Sequence, residues 1–179
     1  MTPIIRPAKG FTLVEVIISL VILATLMAAV GLAFDASARN YTANEGMYKA
    51  MNVARQSLLR ITTDVRTAQG VSAIGGSGDT DNRQCSLVRA DGIAVTYHWN
   101  DSAAASYDPA LDDHTLYLII NSGPQTGNYV LCRNVPSMTF DRAMSGLNVR
   151  NVRVGMTVTD DIGSVSQTLH TAAVVRTVQ

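Results

Sequence analysis

Residues 11–34 read FTLVEVIISLVILATLMAAVGLAF, and Glu15 is the only charged residue among these 24. A helix of that length rises about 36 Å at about 1.5 Å per residue, enough to cross a hydrocarbon core of about 30 Å. Arg6 and Lys9 precede the run. The positive-inside rule therefore expects a single-pass inner-membrane protein with its N-terminus in the cytoplasm and the rest of the chain outside. The lipid bilayer is thus one expected partner. Two ordinary readings compete. A cleaved secretory signal would use Ala36-Ser37-Ala38 as its small-x-small site, but its apolar region usually runs only about 7–15 residues. A plain signal anchor explains the length and leaves Glu15 without a purpose. An acidic residue within a span is costly, about 2.5 kcal/mol or more near the centre, and such residues usually have a partner.

Immediately upstream stands Lys9-Gly10, so the junction reads Lys9-Gly10-Phe11-Thr12-Leu13-Val14-Glu15. Glycine, aromatic and glutamate at this spacing before an unbroken apolar run resemble the N-terminal signal of type IV pilins and type II secretion pseudopilins. The resemblance implies that a prepilin peptidase cuts between Gly10 and Phe11 and then N-methylates Phe11. It also implies that Glu15 sets assembly register by meeting the Phe11 amine of a neighbouring subunit. From the residues alone a pair within one helix, four positions apart on one face, is equally open. Other pilin or pseudopilin subunits, an inner-membrane assembly platform and its separate motor ATPase are the further partners implied.

Outward from this segment, no proline occurs between Pro7 and Pro109, which permits one long helix through Gly31 and Gly46 to an end near Gly70. Met47, Met51, Ala54, Leu58, Ile61, Val65 and Ala68 are spaced 4, 3, 4, 3, 4 and 3. That apolar stripe predicts a helix face packed on a sheet of the same chain. From about Gln84 the pattern alternates. Strands are predicted at Cys85–Ala90, Ile93–Trp99, Thr115–Asn121, Tyr129–Arg133, Ser137–Asp141, Val149–Thr159 and Val165–Val175. Asp91-Gly92 reads as a two-residue hairpin turn, and residues 160–163 as a second hairpin-like link. Residues 100–114 read as a surface loop. The fold class is α+β: a long N-terminal helix packed on an antiparallel sheet of four to seven strands, as in pilins. The expected divisions are a leader at 1–10, a transmembrane and filament-core helix at 11–34, an amphipathic helix at 35–70 and a globular β domain at 71–179. The text LLRITTDVRTA and the later strands most resemble J-type pseudopilins and W-type minor pilins.

Formal net charge is +0, with 16% charged residues against a typical value of about 25%. Without Arg6 and Lys9 the basic count falls from 14 to 12 against 14 acidic, a net −2, which argues against nucleic acid as a partner. Arg150 and Arg153 are the one candidate basic patch. Cys85 and Cys132 offer a disulfide in an oxidising compartment. Asp79 and Asp81 follow a glycine-rich turn as weak candidate ligands for calcium; Asp108, Asp112 and Asp113 form another such cluster, and the EF-hand pattern is absent. No other cofactor or metal is expected. His98, His114 and His170 share no ligand spacing. No nucleophile or phosphate-loop motif is present, so an enzyme is not expected.

The leading expectation is therefore a structural subunit, a minor pilin or pseudopilin, processed and then assembled into a pilus-like or secretion pseudopilus filament. A major pilin is the near alternative. A membrane-anchored adhesin or DNA-binding module using the same signal is the distant one, for which Tyr97, Trp99 and Tyr107 are the only hint.

Overall fold

The computed structural model describes residues 10–146, 148–160, 163 and 165–176. One helix, α1, spans Leu13–Thr67, and eight strands follow among the described residues. The chain divides into two compact units, Met1–Thr42 and Ala43–Gln179. In the first unit the helix from Leu13 onward is exposed on every face. It is long and apolar enough to cross a membrane by length and composition. Ala36-Ser37-Ala38 lie inside the helix, not in the extended backbone that a signal-type cut would use.

The second unit holds the core. Met47, Ala54, Leu58, Ile61, Val65 and Ala68 are buried and Met51 is partly buried, so the seven-residue stripe is the packed face of α1. The helix ends at Thr67, three residues before the glycine expected to stop it. Strands β1 (Gly70–Val71), β2 (Gln84–Val88), β3 (Ala94–Asn100), β4 (Thr115–Ile120) and β5 (Gly127–Cys132) form one antiparallel sheet in chain order. Strands β6 (Ser137–Ser145), β7 (Asn148–Thr159) and β8 (Ser166–Val174) form a second. The single sheet expected from the sequence is thus two sheets sharing one core. All seven expected strands are present, with ends shifted by up to four residues. Two-residue β1 is an addition, too short to show a period.

The Asp91-Gly92 hairpin differs from expectation. Gly92 N–H donates to Arg89 O at 3.0 Å and Arg89 N–H to Ile93 O at 3.0 Å, so the loop is three residues, Ala90 to Gly92. Gly92 has φ +81°, the left-handed residue that follows a type I turn in such loops.

Polar contacts at three places tie the elements together. On α1, Asp64 accepts from Arg89 Nε at 2.8 Å and from the Tyr97 hydroxyl at 2.5 Å. Burial first, then the bond to Asp64, pushes the Tyr97 hydroxyl above its ordinary pKa. Between the sheets, Phe140 N–H donates to Asn82 O at 2.7 Å. Beside it, Arg142 of β6 pairs with Asp79 and donates to Gln84 O, with side chains only 2% and 4% exposed. Buried charges persist only when paired in this way.

Candidate functional site

At the N-terminal junction, Gly10, Phe11 and Thr12 precede the first helical residue. Phe11 is 78% exposed. The Thr12 hydroxyl accepts the Glu15 N–H at 3.3 Å, and Thr12 O accepts the Val16 N–H at 3.2 Å. Thr12 is therefore the N-cap and Glu15 its third helical position. Thr12-x-x-Glu15 is the spacing of a capping box, a signal present in the sequence and not used above. Glu15 also places a carboxylate in the first turn, where the helix dipole favours it. Phe11 lies just before α1, and while the Gly10–Phe11 bond is intact its nitrogen is a neutral peptide amide, so the uncut chain leaves both pairings of Glu15 open. Among the described residues the Glu15 side chain has no partner.

Down the exposed span, Ser19 and Thr25 return their hydroxyls to backbone carbonyls at 2.8 Å each, so neither leaves an unsatisfied polar group on the apolar surface. The segment thus presents an accessible Gly10–Phe11 bond, a capped start, one unpaired carboxylate and an apolar face all round.

The remaining sequence candidates are scattered. Cys85 and Cys132 are free and buried, which corrects the expected disulfide. They stand on β2 and β5 with β3 and β4 between them. Three strand spacings are about 14 Å, against the roughly 4.4–6.8 Å between Cα atoms that a disulfide needs. Burial pushes both thiols up to about 11 from 9.0, with Arg142 partly opposing the shift at Cys85. A thiol raised on folding adds stability that is complete below its ordinary pKa near 9.0 and lost as pH climbs through about 11. Alkylation at pH 8 without reductant is expected to leave both cysteines unmodified in the folded chain and to modify two in urea. No modified residue in urea, with two after reduction, would show a bridge.

Asp79 is committed to Arg142 and to the Ser86 N–H at 2.9 Å. Asp81 accepts from the Ser106 hydroxyl at 3.0 Å and the Arg83 N–H at 2.8 Å. Both carboxylates thus have protein partners. Asp108 caps its own loop through Ala110 N–H, and Asp112 pairs with Arg133 at 2.7 Å. Asp113 accepts from Ser102 and His114 N–H groups, which outweigh desolvation and lower its pKa. Asp101, Asp113 and His114 bring ligand atoms within 4.8 Å of one another, a grouping hidden by the distance along the chain from Asp101 to the adjacent Asp113 and His114. Asp101 already pairs with Arg83 at 2.9 Å.

His98 is buried between Gln84 and Asn100 at 3.1 and 3.2 Å. His114 and His170 are exposed. Tyr97 and Trp99 belong to the core, and the Trp99 indole donates to Val135 O at 2.9 Å. Only Tyr107 of that aromatic trio reaches the surface, so the aromatic hint of an adhesive loop is corrected. Asn100 pins the loop that follows, donating to Asp108 O and Leu111 O at 3.0 Å and accepting the Asp108 N–H at 2.9 Å. Arg150 and Arg153 are both exposed; the register shift opposite Ala143 and Met144 turns them out from a core face that Val149, Val152 and Val154 occupy.

Residues 5–31 match the family model of the prokaryotic N-terminal methylation motif. No curated protein and no solved structure matches the chain.

Proposed function

We propose that this chain, of the type IV pilin and pseudopilin family by its N-terminal methylation motif, is a structural subunit of a pilus-like or secretion pseudopilus filament. One observation carries the reading: the matched residues 5–31 contain an exposed glycine–aromatic junction, a glutamate in the first helical turn and a fully exposed apolar helix. In the membrane, residues 1–10 face the cytoplasm and the domain from about residue 43 lies outside. Prepilin peptidase hydrolyses the Gly10–Phe11 bond, and the released Phe11 amine is methylated and remains cationic. Glu15 then finds in the neighbour's Phe11 amine the partner it lacks among the described residues. In an apolar surrounding an unpaired carboxylate is penalised, so the pair favours docking at one axial register. The apolar helix exchanges lipid for other helices, and a separate ATPase with its membrane platform supplies the work. The role is that of a minor pilin or pseudopilin.

Intact mass and N-terminal peptide sequencing, with and without co-expressed prepilin peptidase, test this. Loss of residues 1–10 and one methyl group on Phe11 are expected only with the enzyme. An uncut chain beside active peptidase, or a cut after Ala38, would overturn the proposal.

A further inference from the structure

Strand β8 is the outer strand of its sheet and, among the described residues, pairs with β7 alone, through nine consecutive partners from Thr159–Ser166 to Asn151–Val174 without a register shift. Its sequence, SQTLHTAAV, contains no proline, lysine or acidic residue. Six of its nine residues are exposed and two are half-buried, leaving only Ala173 buried, and Val174 is 67% exposed. Edge strands of this length are normally blunted by a charge, a proline or a bulge, because their free N–H and C=O groups template another strand. Here none of those devices is present along β8.

The surroundings of that edge are positively charged. On the helix side a groove of about 330 Å³ is lined by Arg55, Leu58, Leu59, Leu169 and His170. On the outer face Arg153 is the register partner of Ala172. At the far end Arg150 O accepts the Val175 N–H, which brings Arg150 beside Arg176. These four arginines are exposed and have no ion-pair partner among the described residues. The facing carboxylate is Asp141, register partner of Arg153 on the opposite strand β6.

We infer that the open edge of β8 is a docking site for an extended acidic segment of another protein chain, which adds as a strand. Main-chain bonds to β8 supply the pairing. Apolar side chains on one face of the added strand enter the Leu58–Leu169 groove, and carboxylates meet Arg55, Arg153, Arg150 and Arg176. Charge complementarity selects an acidic strand over the chain's own outer strand β5, which carries no acidic residue and borders Arg60. The inference stands independently of leader cleavage.

The test uses the full chain in detergent and fluorescent synthetic nonapeptides. One alternates glutamate with valine, one alternates lysine with valine, and one carries a central proline in the glutamate series. The acidic peptide is expected to bind, to weaken with salt, and to slow amide exchange within residues 166–174. The double variant Arg55→Glu, Arg153→Glu should bind it at least tenfold more weakly and should now bind the lysine peptide, which shows that the variant is folded. Equal binding of all three peptides, no binding of the acidic one, or protection on β5 instead would overturn the proposal. Tighter binding of a poly-dT oligonucleotide would reassign the arginines to nucleic acid and overturn it as well.

Discussion

Arg142→Ala is expected to destabilise the domain by about 3–5 kcal/mol, the usual cost of removing one partner from a buried ion pair. Arg142 and Asp79 have side chains 2% and 4% exposed, so neither can turn to water when the other is lost. The alanine would leave the Asp79 carboxylate buried, supported only by the Ser86 N–H, and would also strip a donor from Gln84 O. Typical domain stability is about 5–15 kcal/mol, so the loss is a third or more of the total for most domains. Trp99 is the only tryptophan and is buried in the same unit, so its fluorescence in urea reports this transition without contribution from the apolar helix. The double variant Arg142→Met, Asp79→Leu is expected to recover most of the loss, short of about 1–3 kcal/mol for the orphaned Ser86 N–H and Gln84 O. A single-variant loss under about 1 kcal/mol would show that the pair does not hold the two sheets.

Gly10→Leu is expected to abolish processing and to leave stability unchanged. A Cβ built on Gly10 meets nothing within 4 Å, and the residue lies before the helix, so the substitution costs the fold no contact. Any loss must then arise where the peptidase approaches the backbone, which a branched side chain would obstruct. Co-expressed with peptidase, the variant should retain residues 1–10 in the intact mass, while its Trp99 urea midpoint matches the parent. Cleavage at the parental rate would remove Gly10 from the reading of the site.

How much the sequence disclosed depended on the range of the signal. The stripe from Met47 to Ala68 was legible because helical periodicity is local, and its buried face follows from spacing alone. The strands were legible for the same reason, since Val152, Val154, Met156 and Val158 alternate with Arg153, Gly155 and Thr157 whatever lies beside them. Which strands share a sheet is not local, and the break between β5 and β6 left no mark in the alternation. Arg142 drew no notice, one position past the strand predicted at Ser137–Asp141, because Asp79 stands 63 residues away. Cys85 and Cys132 looked pairable for want of the strand order that separates them. At the N-terminus almost everything was legible, since the junction, glutamate and apolar run are contiguous. The Thr12 cap was visible there too, four letters long.

That cap has a mechanical meaning. A protease holds its substrate as bare backbone, and every bond inside a helix must first be released from its hydrogen-bond ladder. Thr12 sets the border between the two conditions. On one side the Gly10–Phe11 bond is free of the ladder. On the other, from Leu13 onward, the ladder begins, and cutting further in would require melting a turn each time. If the proposed cut falls at Gly10–Phe11, the first polar side chain after it works as a cutting guide: it leaves that bond outside the ladder and stiffens those from Leu13 onward.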